Sequence, residues 1–229
     1  MMELKHILKD IPYLKLDVDL NLPLLIEETL KITSTYELES YKSKFRFIRK
    51  KYSEAWSGIS LVSSDGELFT DLSEINESDN EIYKETKLKD IAPYMYHAVD
   101  MLNGGRQDTR VRLMTINPRK SLVWHSHVQE HKQPLDVVTV QIPIVVPKEF
   151  YYCTIDWREF SWYKRFFKPE RFKTLQKFTL EPGNAYYFNS YHYHNVYNES
   201  KSETRVSIML YLDLKNKFVQ QLFKQSLNL

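Results

Sequence analysis

At 229 residues the chain is long enough for one well-buried domain, and 42% hydrophobic with 27% charged residues is an ordinary globular balance. A net charge of +2 gives no argument for a nucleic-acid or membrane-surface partner, which needs a concentrated basic face. The longest apolar runs, Val137–Val146 and Val206–Leu214, are of strand length and too short to span a membrane.

The N-terminus, MMELKHILKDIPYLKL, carries acidic residues and Pro12 early, and lacks the basic end, apolar stretch and cleavage site of a secretory signal. Cys153 is the sole cysteine, which excludes an internal disulfide, so a cytoplasmic protein is expected. Leu22–Tyr36 places Leu and Ile at helical spacing after Pro23, a good first-turn residue, and predicts an early helix. Lys42–Tyr52 is basic with interleaved aromatics; a solvated face is preferred over a phosphate-binding patch. Trp56–Val62 reads as a strand ending at the Ser64-Asp65-Gly66 turn, Asp71–Asp79 as loop and Ile91–Leu102 as a second helix.

From about Arg110 the pattern becomes β. Arg110–Ile116, Leu122–Val128, Val137–Val146, Tyr151–Asp156, Phe178–Glu181, Ala185–Asn189, His194–Tyr197 and Arg205–Leu214 are the expected strands, separated by turns such as Glu181-Pro182-Gly183. The aromatic and basic Trp157–Lys177 interrupts this rhythm, as a lid or as a helix packed on the sheet. Phe218–Leu227 is expected to be a short amphipathic helix. The division is then a helical and mixed part over 1–105, a mainly β jelly-roll core over 106–214 and a C-terminal helix over 215–229, all in one domain.

Strand alternation sorts the polar residues. Val123, His125 and His127 share one side of Leu122–Val128, and Arg205, Ser207, Met209 and Tyr211 share one side of the last strand. Thr139 and Gln141 stand out on a strand whose other face is Val138, Val140, Ile142 and Ile144. Three strands with one oily and one polar-bearing face suit a β barrel around a polar cavity. His-x-His on a strand sets two imidazoles about 7 Å apart at the Cα level, within reach of one metal ion. A third comes from His192 or His194 in YHYHNVYN. If the Asn198–Glu203 turn pairs its flanking strands symmetrically, Val196 meets Arg205 and favours His194. An arginine beside a metal suits an anionic cosubstrate, because guanidinium holds carboxylate with two parallel hydrogen bonds.

These stretches resemble the aspartyl/asparaginyl β-hydroxylase family of Fe(II)- and 2-oxoglutarate-dependent oxygenases. The likeness is carried by INPRKSLVWH, VQIPIVVP, LEPGNAYYFN leading to HNVYN, and RVSIMLYLDL. It implies a double-stranded β-helix (cupin-like), with His125 and His194 as iron ligands and Arg205 holding the distal carboxylate of 2-oxoglutarate. Ser207 shares the face of Arg205 and is grouped with it as cosubstrate-binding. Members commonly carry Asp where this chain has His127, which is either a third ligand or a pocket residue. The family's Arg-x-His for the 1-carboxylate falls on Thr139 and Gln141. The expected activity is hydroxylation of an amino acid, peptide or other small polar substrate with O2, without nucleic acid or membrane. A cupin-like three-His metalloenzyme that uses no 2-oxoglutarate and a non-catalytic binding module are the competing readings.

Overall fold

Most of the described strands follow residue 110, and the four before it join the larger of two sheets. The computed structural model describes residues 2–40, 54–70, 72, 83–105, 109–127, 136–159 and 171–229. The basic Lys42–Tyr52 lies outside the described residues, as do most of Asp71–Asp79 and the middle of Trp157–Lys177. The chain opens with α1 (Met2–Asp10), β1 (Tyr13–Lys15), α2 (Leu22–Thr35), β2 (Glu39–Ser40), β3 (Trp56–Ser63), β4 (Lys84–Glu85) and α3 (Pro93–Asn103). It continues with β5 (Val111–Ile116), β6 (Lys120–Ser121), β7 (Val137–Val145), β8 (Phe150–Ile155) and β9 (Gln176–Phe178). Last come β10 (Tyr186–Phe188), β11 (Tyr193–Asn198), β12 (Arg205–Asp213) and α4 (Lys217–Leu227).

The helices start and stop where their end groups are satisfied. The side chain of Asn21 accepts from the Leu24 amide at 3.1 Å, and Pro23 occupies the first turn of α2 without wasting a donor. Glu28, buried within α2, accepts from the amides of Tyr94 and Met95 at 2.8 Å each, so one carboxylate caps α3 and ties the two helices together. At its other end α3 closes on Gly104 at φ +72, a conformation that disfavours any side chain, and a Cβ there would stand 3.0 Å from the Phe218 ring of α4.

The strands form two antiparallel sheets. The larger runs β1-β10-β7-β12-β5-β3-β2 with β4 paired to β3, and the smaller runs β6-β11-β8-β9. Register makes the large sheet two-faced. Val140, Leu210 and Val111 align across three strands and pack under Leu25, Ile32, Met95, Val99 and Phe223 of the helices. One residue along, Gln141, Met209 and Arg112 align on the opposite face, which looks toward the small sheet. Between the sheets lies a second, smaller core that includes Phe150, Tyr152, Phe188 and Val196. Helices, large sheet and small sheet thus make three layers, mainly β, in the expected jelly-roll arrangement, with β1 to β4 adding strands from before residue 106.

Three expectations need correction. The strand predicted over Phe178–Glu181 is β9, at Gln176–Phe178; Leu180 is buried beyond it in the second core, and the Pro182 turn follows. The predicted pairing of Val196 with Arg205 does not occur. β11 pairs with β6 and β8, while β12 pairs with β5 and β7, so the chain changes sheets at this corner instead of making a hairpin. Asn198 pins the corner, its side-chain amide donating to the carbonyls of Ile116 at 2.9 Å and Glu203 at 2.8 Å. Thirdly, α1 and β1 escape the sequence pattern because each is short. Leu4 and Leu8 of α1 are nevertheless buried, and β1 forms an edge of the large sheet against β10.

Replacing Glu28 by Ala leaves two α3 amides without their acceptor, and is expected to cost about 1–3 kcal/mol, read as a lower denaturant midpoint at unchanged slope.

Candidate metal centre

β11 is paired residue by residue with β8, His194 opposite Thr154 and Val196 opposite Tyr152. This register turns His194 inward, where it is 5% exposed and meets the Phe188 ring edge-on. The other side of β11 faces β6 and the residues after it, and here residues 122–127 of the expected strand Leu122–Val128 form no regular strand, while Val128 lies outside the described residues. Regular pairing stops at Ser121, opposite Tyr197, and resumes only as a single bridge between His125 and His194. Four steps separate Ser121 from His125, whereas three separate Tyr197 from His194. One extra residue is therefore accommodated, in the manner of a β-bulge. A bulge flips side-chain parity, so Leu122 and His125, which plain alternation would send to opposite faces, both line the same cavity.

The turn before β11 supplies the other anchor. The His125 amide donates to the His194 carbonyl at 3.0 Å and the His127 amide to the Ser190 carbonyl at 2.9 Å. Asn189 holds this turn in place. Its side-chain amide donates to the carbonyls of Leu8, Lys9 and Ile11, and its own amide to that of Pro12, so the N-terminal segment buttresses the site.

His125, His127 and His194 come together with potential ligand atoms all within 4.8 Å of one another, and ring centres 4.3 to 5.3 Å apart. The donor set fits a divalent transition metal on two further grounds. The Nδ1 of His125 meets the Val123 carbonyl at 2.7 Å and that of His194 meets the His192 carbonyl at 2.8 Å. Carbonyls only accept, so both rings carry their proton on Nδ1, which leaves the lone pair on Nε2. Burial, and next the neighbouring imidazoles, hold the pKa of His194 well below its ordinary value, which keeps it a neutral donor. His192 does not join them. It is buried apart, with Nε2 3.3 Å from the Lys9 carbonyl of α1.

The same cavity is lined by Thr139, Gln141 and Arg205, three of the polar residues that the sequence singled out. Arg205 lies at its floor, 4% exposed, with Nη2 donating to Gln141 Oε1 at 2.6 Å and to the Tyr152 hydroxyl at 2.5 Å. Tyr152 in turn donates to Gln141 Oε1 at 2.6 Å, which closes a three-membered network. Arg205 Nε and Ser207 Oγ are buried and have no hydrogen-bond partner. Thr139 hydrogen-bonds Ser190 at 3.0 Å, beside the histidines and away from Arg205. Burial draws the pKa of Arg205 down from its ordinary value against the opposing pull of Tyr152, yet a guanidinium remains a cation at neutral pH. Among the described residues Arg205 has no ion-pair partner, and the lining of the cavity contains no Asp or Glu.

The sequence reading missed Tyr152 and Asn189. The signal for Tyr152 was present in alternation, because Phe150, Tyr152 and Thr154 share the inward face of β8. Nothing local marks Asn189, whose acceptors lie about 180 residues away in the chain.

No protein-family model matches the chain, and no curated protein matches it in sequence. Solved structures do. HygX from Streptomyces hygroscopicus, determined with nickel, 2-oxoglutarate and hygromycin B bound, is 8% identical over 92% of this chain and 86% of that one, with a TM-score of 0.53. An oxidoreductase of the 2OG-Fe(II) oxygenase family from Burkholderia pseudomallei is 10% identical over 92% and 88%, at 0.51. The non-heme alpha-ketoglutarate-dependent carbocyclase SnoK from nogalamycin biosynthesis is 6% identical over 97% and 91%, at 0.53. At such identities the likeness is one of fold: the protein has the jelly roll of the 2-oxoglutarate oxygenases. The narrower resemblance to aspartyl/asparaginyl β-hydroxylases has no family model behind it.

Nickel(II) is expected to raise the thermal midpoint of the protein by mass action on the folded state, and His194→Ala to abolish that rise. Equal nickel-induced shifts in both proteins would remove His194 from the metal site.

Proposed function

We propose that this protein is an Fe(II)- and 2-oxoglutarate-dependent dioxygenase that hydroxylates a C–H bond of an amino acid, peptide or other small polar substrate. The observation that carries the reading is Arg205, a buried cation on the floor of the histidine cavity whose Nε lacks a partner among the residues around it. An unpaired buried charge is expensive, and a carboxylate entering from above would relieve that cost. Ser207 Oγ, also buried and without a partner, offers a further donor on the same strand.

In this reading His125, His127 and His194 hold Fe(II), which when bound activates O2 for oxidation of the substrate. Arg205, with Ser207 beside it on β12, grips the distal carboxylate of 2-oxoglutarate, and Gln141 and Tyr152 orient the guanidinium by accepting from it. The reaction is balanced: one oxygen atom enters the substrate C–H bond as hydroxyl, and the other enters succinate as CO2 leaves. The apolar wall, including Met114, Phe188, Val196 and Met209, keeps bulk water from the reacting centre. HygX was determined with nickel and 2-oxoglutarate, which supports this pairing of ligands on the shared fold. We place the whole chain in one such domain, acting in the cytoplasm, with residues 1–105 and 215–229 supporting the core.

One observation favours a second reading. Among the described residues the cluster is three imidazoles with no carboxylate, a set that also suits a cupin-like metalloenzyme in which Arg205 binds a substrate acid. Anaerobic titration separates the two. The oxygenase reading expects a visible metal-to-ligand charge-transfer band when Fe(II) and 2-oxoglutarate are both present, followed by succinate release on admitting O2. Iron binding without that band would favour the cupin-like reading, and failure to bind iron a non-catalytic relative. Arg205→Gln is expected to weaken 2-oxoglutarate binding on the order of a hundredfold, through two charge-assisted hydrogen bonds, while nickel affinity is retained.

A further inference from the structure

Strand order divides the histidine cavity into two halves. In the large sheet β7 lies on one side of β12 and β5 on the other, and in the small sheet β8 and β6 flank β11 in the same way. The β7–β8 half is polar. Gln141 and Tyr152 join across it, and both draw the Arg205 guanidinium toward themselves. The β5–β6 half is apolar: Met114 and Ile116 of β5 line it from the large sheet, and Leu122, just after β6, lines it from the small one. All three are buried, and Ile116 and Leu122 belong to the same apolar cluster between the sheets.

Gly58 of β3 shapes the apolar half. It is the register partner of Met114, whose other neighbour is Ser207 of β12. A Cβ on Gly58 would stand 2.6 Å from Met114 Sδ and 3.0 Å from its Cε. The thioether therefore occupies the space that a side chain at 58 would fill. Gly58 lies within a regular strand and has no positive φ, so what glycine supplies here is room for a close approach and not a turn. Met114 is drawn toward β3 as a result. An unbranched thioether is also the side chain most able to take up another position when its slot is closed.

An apolar wall around open space gains little from water and much from a hydrocarbon that fills it. We propose that Met114, Ile116 and Leu122 form a subsite for a hydrocarbon group, an aliphatic chain or a ring, on the molecule oxidised at the histidine centre, and that Met114 lying over Gly58 sets the size of that group. The cosubstrate, held by Arg205, takes the polar half. The substrate takes the other half, with its reacting C–H toward His125, which follows Leu122 on the β6 side of β11. Among amino acids, peptides and other small polar molecules, this selects those that carry an apolar side group. The substrate assignment rests on the oxygenase reading above; the apolar subsite itself does not.

Ligand-detected NMR titration with the linear alcohols from 1-butanol to 1-octanol tests the subsite, on metal-free protein and on protein loaded with diamagnetic zinc(II) and 2-oxoglutarate. Wild-type affinity is expected to rise about fourfold per methylene, the value of one buried CH2, and to level off at the chain length that fills the half. Met114→Ala removes the thioether arm and is expected to lengthen that limit by roughly two or three methylenes. Leu122→Ala enlarges the same half from the small sheet and takes its place should Met114→Ala melt early. Gly58→Ala is expected to drive Met114 into the subsite and weaken the longest alcohol about tenfold, and Met114→Ala on that background to restore it. The added Cβ also stands 2.9 Å from the Leu113 carbonyl, so the two enlarging variants carry the test should Gly58→Ala fail to fold. No alcohol binding by the wild type overturns the subsite, as does a chain-length limit unchanged in the enlarging variants. A folded Gly58→Ala protein that binds every alcohol as the wild type does overturns the role of Met114 and Gly58 in setting size. If the charge-transfer band fails to form while the alcohol limit follows Met114, the oxygenase reading falls and the apolar subsite stands.

Discussion

A permanent cation sealed between two sheets sets the terms for the rest of this structure. Arg205 is buried to 4% exposure, and a guanidinium cannot shed its proton to escape the cost of desolvation. The fold answers with two oxygen atoms. Gln141 Oε1 and the Tyr152 hydroxyl each accept from Nη2, and Tyr152 returns a hydrogen bond to Gln141 so that neither acceptor is free to rotate away. Those partners come from both sheets, Gln141 from the large and Tyr152 from the small, so the network fixes the spacing between the layers at the floor of the cavity. What it does not supply is a counter-charge among the described residues. Neutral oxygens hold the guanidinium in position; they do not neutralise it.

The histidine wall above is fixed by backbone rather than by side-chain charge. His194 and His125 exchange both main-chain hydrogen bonds, and each points Nδ1 at a carbonyl two residues earlier in its own chain. That arrangement is local, so ring orientation depends on the path of the strand and not on distant packing. The path itself depends on Asn189. By donating to three carbonyls of the N-terminal segment, Asn189 couples α1 to the turn that carries Ser190 and so to His127. An N-terminal helix with no residue in the metal cluster thereby becomes part of the support of the site.

Alternation made much of this legible in the sequence. β7 and β12 show their two faces directly, because strand period is 2 and one wrong residue would place Gln141 or Arg205 in the helical layer. Thr139, Gln141 and Arg205 accordingly line the cavity as read. The bulge after Ser121 was not legible: one extra residue in a chain leaves no compositional trace, and the parity argument for Leu122–Val128 fails across it. His125 still reaches the cavity because the bulge lies before it. The choice of His194 over His192 was reached through a pairing of Val196 with Arg205 that the fold does not make. Parity on β11 alone leaves the pair undivided, and what separates them is that His192 lies before the strand begins and turns toward Lys9. Alternation places Tyr152 on the inward face without revealing its role, and Asn189 carries no local mark. Tyr152 matters through a partner in another sheet, and Asn189 through partners at the far end of the chain.

The residue at 127 connects the two halves of the cavity through charge. Where a carboxylate would take one unit from a divalent metal, a neutral imidazole takes none. In the proposed reading, Fe(II) and doubly ionised 2-oxoglutarate cancel, which leaves Arg205 as one uncompensated positive charge in a cavity with no Asp or Glu among its described lining residues. Asp at 127 would have cancelled it. Histidine at this position therefore keeps the loaded cavity cationic, at a low-dielectric site where that charge acts over distance. In that reading, the substrate best suited to the loaded cavity is one that brings its own negative charge.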